Sequence, residues 1–158
     1  MWFVLDRVDL DFVDTAPHHV CREVLLDVPA DRAFDVLTGD RWLEWFPDLQ
    51  DITWYPPRGV GGTRYLRLHR SEVHETFLAW EPGRRLAFSV DRSTVPFIKA
   101  MLVEFRLTPA SAGNRTQVAL CWHYKLPIWW RPMYASVRRR VEKILSAALA
   151  ALKNFAER

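Results

Sequence analysis

The sequence predicts an α+β fold in which a curved antiparallel β-sheet wraps around one long C-terminal α-helix, with two short helices following the first strand. Three observations predict it. Short runs of alternating apolar and polar residues recur from Val20 onward, as half-buried strands require. Proline and glycine clusters separate those runs. The last stretch of the chain then changes to apolar spacings of three and four, the period of an amphipathic helix.

The chain's 158 residues suffice for one domain with a sizeable core. Its 49% hydrophobic and 26% charged residues exclude disorder and collagen-like or low-complexity structure. The net charge of +3 is spread along the chain apart from Arg138-Arg139-Arg140, so no nucleic-acid partner is expected. Cys21 and Cys121 lack the paired short spacing of a zinc site and are too few for a disulfide framework, and they read as free thiols of a reducing compartment. The N-terminus carries Asp6 and no apolar run long enough for a signal-peptide core or a membrane span, so a cytoplasmic protein is expected.

Residues 1–19 read as an arm packing on the body, with acidic residues alternating with Leu5, Val8, Leu10 and Phe12 up to Ala16-Pro17. The domain proper spans 20–158. Val20, Arg22, Val24 and Leu26 point one way along the first strand and Cys21, Glu23, Leu25 and Asp27 the other. Pro29 and Asp31 open and cap a helix with an apolar stripe of Ala33, Phe34, Val36 and Leu37, and Thr38-Gly39-Asp40 leads into a second short helix over Arg41 to Phe46 that Pro47 stops. Strands follow from Ile52, over Thr63 to His69, Val73 to Trp80, Arg85 to Val90, Ala100 to Leu107 and Thr116 to Tyr124. Their breakers are Pro56-Pro57, Gly59 to Gly62, Glu81-Pro82-Gly83 and Ser111-Ala112-Gly113-Asn114, the pattern of a meander of hairpins. After Pro132 a long helix runs to about Phe155, with Met133, Val137, Val141, Ile144, Leu145, Ala148, Leu152 and Phe155 on one face. One such helix, roughly 35 Å long at 1.5 Å per residue, does not fill the concave face of a large sheet, so an internal cavity is expected.

This order of elements resembles the START-like (SRPBCC) superfamily of helix-grip proteins, which includes polyketide cyclase/dehydrase-type and lipid-transfer domains. The resemblance covers about residues 20 to 157. It rests on Val28-Pro29-Ala30-Asp31-Arg32-Ala33-Phe34-Asp35-Val36-Leu37, on Trp42 to Pro47, on Gly59 to Arg64, on Trp80-Glu81-Pro82-Gly83-Arg84-Arg85-Leu86 and on the closing helix. These motifs specify architecture rather than chemistry. The resemblance implies a solvent-shielded pocket between sheet and long helix, used in the family for lipids, sterols or aromatic polyketides, with some members catalysing and many only binding. It implies no cofactor.

With Arg70 and Ser71 as a hairpin tip, Leu66, Leu68, Val73, Glu75 and Phe77 share one face, and the Glu75 carboxylate projects inward among apolar side chains. There it acts as a general acid/base or ligand anchor, or else it pairs with a neighbouring arginine at the pocket rim. Val103, Phe105 and Leu107 on one strand and Val118, Leu120, Trp122 and Tyr124 on another supply an apolar lining, closed by Val141 and Leu145 of the helix. His123, Glu104 and Arg106 fall on the opposite face, where Glu104 and Arg106 are expected to meet solvent. His69 and His74 read as exposed hairpin histidines, and none of the five histidines has metal-ligand spacing. Ile128-Trp129-Trp130-Arg131-Pro132-Met133-Tyr134 reads as a loop folded over the core or as a gate or membrane-docking edge. The expected function is binding or carrying a hydrophobic or aromatic small molecule, lipid- or polyketide-like. The alternatives are a cyclase/aromatase-like enzyme using Glu75 for proton transfer, and a peripheral membrane- or protein-interaction module.

Overall fold

Alternation from Val20 to Leu26 becomes a strand that starts two residues earlier, β2 (His18–Leu26), in the computed structural model, which describes residues 1–110 and 113–158. Before it come β1 (Phe3–Val4) and a single helical turn, α1 (Phe12–Thr15), within the stretch read from sequence as an arm without strand or helix. The two short helices are α2 (Ala30–Thr38), which buries Ala33, Phe34 and Leu37, and α3 (Trp42–Trp45), which buries both tryptophans. Neither has a side-chain cap. Pro29 opens α2 by its fixed φ, and Asp31 serves as an acidic residue in the first turn rather than as the cap.

The meander is β3 (Leu49–Tyr55), β4 (Thr63–Leu68), β5 (Glu72–Glu81), β6 (Arg85–Ser93), β7 (Ala100–Pro109) and β8 (Thr116–Lys125). The turn expected at Ser111 to Asn114 lies partly outside the described residues. The sheet runs β2-β8-β7-β6-β5-β4-β3, with β1 added on β6. A Cβ on Gly62 would stand 1.9 Å from the Pro57 carbonyl oxygen, and Gly83 turns β5 into β6 at φ +72°.

Two register shifts interrupt the β5–β6 ladder, one at His74/Glu75 with Asp91 of β6 as the extra residue and one at Phe77/Ala79 with Leu78 of β5 as the extra residue. The second lets Leu78 and Ala79 both join the outer cluster while Trp80 returns to the inner one. On the concave face the core runs through Val20, Phe77, Leu86, Phe88, Val103, Phe105, Val118 and Leu120. Against it lies α4 (Tyr134–Ala156), which packs chiefly on β2. Its buried stripe is Val141, Leu145, Ala148, Leu149, Leu152 and Phe155; Met133 and Ile144, expected on that face, are exposed, and the stripe extends instead to Leu149 on its other edge. Three polar tethers hold α4 to β2: the Arg22–Glu142 ion pair, Arg138 to the His19 carbonyl and Lys153 to the Leu25 carbonyl.

The N-terminal residues cover the convex face. Val8, Leu10, Phe12 and Val13 pack on Ala79, Ala87 and Leu102. The Leu5 amide donates to the Asp91 carbonyl and the Asp6 amide to the Lys99 carbonyl. Glu104, expected at the surface, is instead 2% exposed on this face, clamped by Arg85 at 2.5 Å and Arg106 at 3.1 Å. Of these Arg106 is the one that meets solvent. Beside Glu104 lies His123, also buried, its Nε2 3.8 Å from the carboxylate and so beyond hydrogen-bond reach. Burial alone would raise the Glu104 carboxyl; the neighbouring His123, Arg106 and Arg85 outweigh it and hold the pKa at about 2.

The reading of Cys21 and Cys121 as free thiols is overturned. They are directly opposite residues of β2 and β8, with Cα atoms 4.1 Å apart, and form a disulfide across 100 residues. Pairing of the first long strand with the last brings them together, which spacing along the chain does not reveal.

Two predictions follow from this face. A carboxylate depressed in the folded state stabilises above its unfolded pKa and loses that contribution as pH falls through the folded value. Glu104 therefore contributes stability at pH 7 that is lost as pH falls from 4.5 toward about 2. In urea titrations across that window, Glu104→Gln flattens the acid loss of stability; parallel losses in the two proteins would refute the assignment. Cys21→Ser/Cys121→Ser is expected to lower unfolding stability by roughly 5 kcal/mol, the chain-entropy value for a loop of this length, in denaturation under non-reducing conditions.

Candidate functional site

β4 and β5 meet at a two-residue tip, His69 and Arg70, one step earlier than expected, because the Leu68 amide donates to the Ser71 carbonyl. The shift changes partners by two residues and leaves the faces unchanged. Glu75 does point inward, and directly opposite it stands Arg64, an inward residue that the sequence reading passed over. Both are buried, Arg64 at 1% and Glu75 at 6% exposure, away from any rim. Arg64 Nη2 and Nε reach Glu75 Oε1 at 2.6 and 2.8 Å. Burial pushes the Glu75 carboxyl above the usual range, opposed by the Arg64 charge.

An aromatic box encloses the guanidinium. Its carbon lies 4.4 Å from the Trp42 ring centroid, 4.8 Å from Trp54, 4.9 Å from Phe88 and 5.2 Å from Phe77. Trp54 stacks on Phe77 at 5.5 Å, and Trp80 closes edge-on against both. The indole of Trp42 donates to the Leu37 carbonyl. Among the described residues, Arg64 Nη1 and the indole nitrogens of Trp45 and Trp54 are buried without a hydrogen-bond partner. All three are donors, so this region presents unmet N–H groups within aromatic walls.

The side chains expected to line an internal cavity are packed into the core. Leu66, Phe77, Val103, Phe105, Val118, Leu120, Tyr124, Val141 and Leu145 are all buried, and all but Leu66 belong to one packed core. Val73 and Trp122 are half-buried against that core, and Leu68 is half-buried. The physical reason is aromatic bulk: Trp42, Trp54, Phe77, Trp80 and Phe88 occupy space that the length of α4 leaves open. Two hollows lie elsewhere. One of about 300 Å³ is bounded by Phe3, Val4, Asp6, Pro96 to Lys99, Pro127 and Trp129, and a smaller one of about 180 Å³ lies among Arg32, Val36, Arg41, Phe155, Ala156 and Arg158. Ile98 borders the first and also packs on the inner core, so the wall of that hollow is shared with the interior.

The comparisons follow this architecture. Residues 17–157 match the family model described as polyketide cyclase / dehydrase and lipid transport. The chain belongs to this family. An uncharacterized protein of Mycobacterium tuberculosis is 30% identical over 114 residues, covering 70% of this chain and 68% of that one. Among solved structures, a START superfamily protein from Mycobacterium smegmatis superposes with a TM-score of 0.74 at 13% identity, covering 89% of this chain and 97% of that one. The Zhui aromatase/cyclase from Streptomyces sp. R1128 superposes with 0.67 at 21% identity, covering 89% and 94%. At these identities the superpositions speak for the helix-grip fold alone.

Within that family fold the remaining expected groups scatter. His74 is half-buried between Trp2 at 5.1 Å and Tyr65 at 5.2 Å rather than exposed, while His69 is exposed. His18 sits between Tyr124 and Tyr134 at 5.3 and 4.6 Å. Burial raises the Tyr124 hydroxyl, with Arg138 opposing and Glu142 adding to it. No cluster of histidine, cysteine or carboxylate suited to a metal occurs among the described residues, and no helix there is long and apolar enough to cross a membrane. Ile128 to Met133 form a 3-10 turn in which Trp129 is exposed and Trp130 half-buried.

The ion pair generates a prediction that separates pairing from packing. Arg64→Met leaves Glu75 buried without its partner and is expected to cost about 3–5 kcal/mol. Arg64→Met/Glu75→Leu is expected to cost less than Arg64→Met alone, because no charge is then left buried. Equal losses in single and double variants, read by urea unfolding, would show that the pair contributes only through volume.

Proposed function

We propose that the protein binds an apolar or aromatic small molecule carrying an acceptor oxygen inside the grip, with Arg64 meeting that oxygen. Membership of the family and its fold support hydrophobic-ligand binding as a class. The observation that carries the finer reading is the set of buried unpartnered donors, Arg64 Nη1 with the indoles of Trp45 and Trp54. A carbonyl, phenol or acid oxygen placed there satisfies donors whose isolation costs about 1–3 kcal/mol each. Aromatic walls suit a flat ligand ring. Because the interior is packed, binding displaces side chains, and Trp54, half-buried and 4.8 Å from the Arg64 guanidinium, is the box wall that reaches toward solvent.

A second reading, proton transfer by Glu75 during cyclisation or dehydration of a bound polyketide-like chain, draws on the raised carboxyl pKa. Against it stands the pairing with Arg64, which occupies one carboxylate oxygen with two short contacts. The binding reading therefore comes first.

Titration with 1-anilinonaphthalene-8-sulfonate, followed by tryptophan quenching, tests it against the uncharged analogue N-phenyl-1-naphthylamine. Arg64→Gln is expected to weaken the sulfonate probe about ten-fold or more, the loss of a charged hydrogen bond, and to change the uncharged probe little. Equal effects on both probes, or none on either, would exclude Arg64 as the ligand's oxygen partner.

A further inference from the structure

One end of the molecule carries half of the exposed large apolar side chains among the described residues. Val4 is 79% exposed, Ile128 75% and Trp129 65%, with Met133, Phe97 and Val95 exposed beside them. Three chain segments build this end: the arm, the loop between β6 and β7, and the 3-10 turn before α4. Phe97 is held at φ +75°, a conformation unfavourable for a bulky side chain. Its ring stacks on Trp130 at 4.3 Å and meets Trp129 edge-on at 5.4 Å. The aromatic group is thus braced from within while its outer edges face solvent. A soluble domain has no folding reason to brace apolar rings outward.

Charge identifies the occupant. Residues 94–99 and 125–140 contain Lys99, Lys125, Arg131, Arg138, Arg139 and Arg140 and no acidic residue. Lys99 and Lys125 are neighbours, since the Lys99 amide donates to the Lys125 carbonyl. Asp6 is the one carboxylate bordering the hollow. A second copy of the chain would set these cations against themselves. A surface of anionic lipid phosphates above an acyl layer matches both the charge and the apolar centre.

We propose that this end docks on an anionic lipid bilayer, with Ile128, Trp129 and Phe97 entering the headgroup–acyl boundary and Lys99, Lys125 and Arg131 meeting lipid phosphates. The proposal rests on the surface alone and holds whether or not the interior takes a ligand.

The test is sedimentation of the full chain with vesicles of phosphatidylcholine, alone or with about 30% phosphatidylglycerol, a content that gives the negative surface potential basic residues respond to. Partitioning at least ~10-fold stronger onto the anionic vesicles is expected, falling as salt rises. Ile128→Ser/Trp129→Ala is expected to reduce it about ten-fold or more through lost apolar insertion, with an unchanged thermal midpoint. Arg131→Glu is expected to reduce it about 25-fold, roughly five-fold for each unit of charge changed. Quenching of wild-type fluorescence by acyl-brominated lipid, diminished in Trp129→Phe, is the expected sign of insertion. Absence of sedimentation with anionic vesicles overturns the proposal, as does sedimentation that these variants leave intact. So does a concentration-dependent dimer in ultracentrifugation that Ile128→Ser/Trp129→Ala dissociates, which would make a second copy the occupant.

Discussion

A charge pair sealed inside an aromatic box sets the terms for the concave face. Arg64 and Glu75 sit opposite each other on adjacent strands, and neither is stable there without the other. The pair also specifies register. A slip of two residues between β4 and β5 would keep every apolar side chain on its own face, so hydrophobic patterning does not resist it. The slipped arrangement would place Glu75 opposite Leu66 and Arg64 opposite Phe77, leaving both charges without partners. Charge here distinguishes two registers that burial treats alike, and Trp42, Trp54, Phe77 and Phe88 are positioned around the result.

The convex face repeats the chemistry with a different outcome. Glu104 is as buried by area as Glu75, yet its carboxyl is held low while that of Glu75 is pushed up. The difference lies in the partners. Two arginines reach Glu104 from β6 and from its own strand, and one of them stays in contact with water. Glu75 has a single arginine that is itself shut away from solvent. One sheet therefore carries a carboxylate that stays ionised down to about pH 2 on one side and a less readily ionised one on the other.

Strand alternation made the inward phase of Glu75, Phe77, Val103 and Phe105 legible, and the breakers located nearly every hairpin, because both depend on local backbone chemistry. What depends on long-range pairing was not legible. The Cys21–Cys121 bond requires β2 to lie beside β8, and the return of Trp80 to the core requires a bulge at Phe77–Ala79. Arg64 shares the face of Leu66 and was visible in the pattern, but arginine defaults to the surface unless a buried partner is known. The packing of the expected lining residues into the core was not legible either, since helix length alone does not count the indoles that α3, β3 and β5 send inward.

The N-terminal arm has a further consequence. β6 is paired with β7 only as far as Ser89, and beyond that point its edge is taken by Phe3 and Val4, with Leu5 and Asp6 bonded to Asp91 and Lys99 on either side. The sheet is thus split there and caulked with a strand of two residues. So short a strand frays at little free-energy cost compared with the long strands around it. The ladder between β6 and β7 is thus held, from Asp91 to Lys99, by the arm's few backbone bonds rather than by direct pairing.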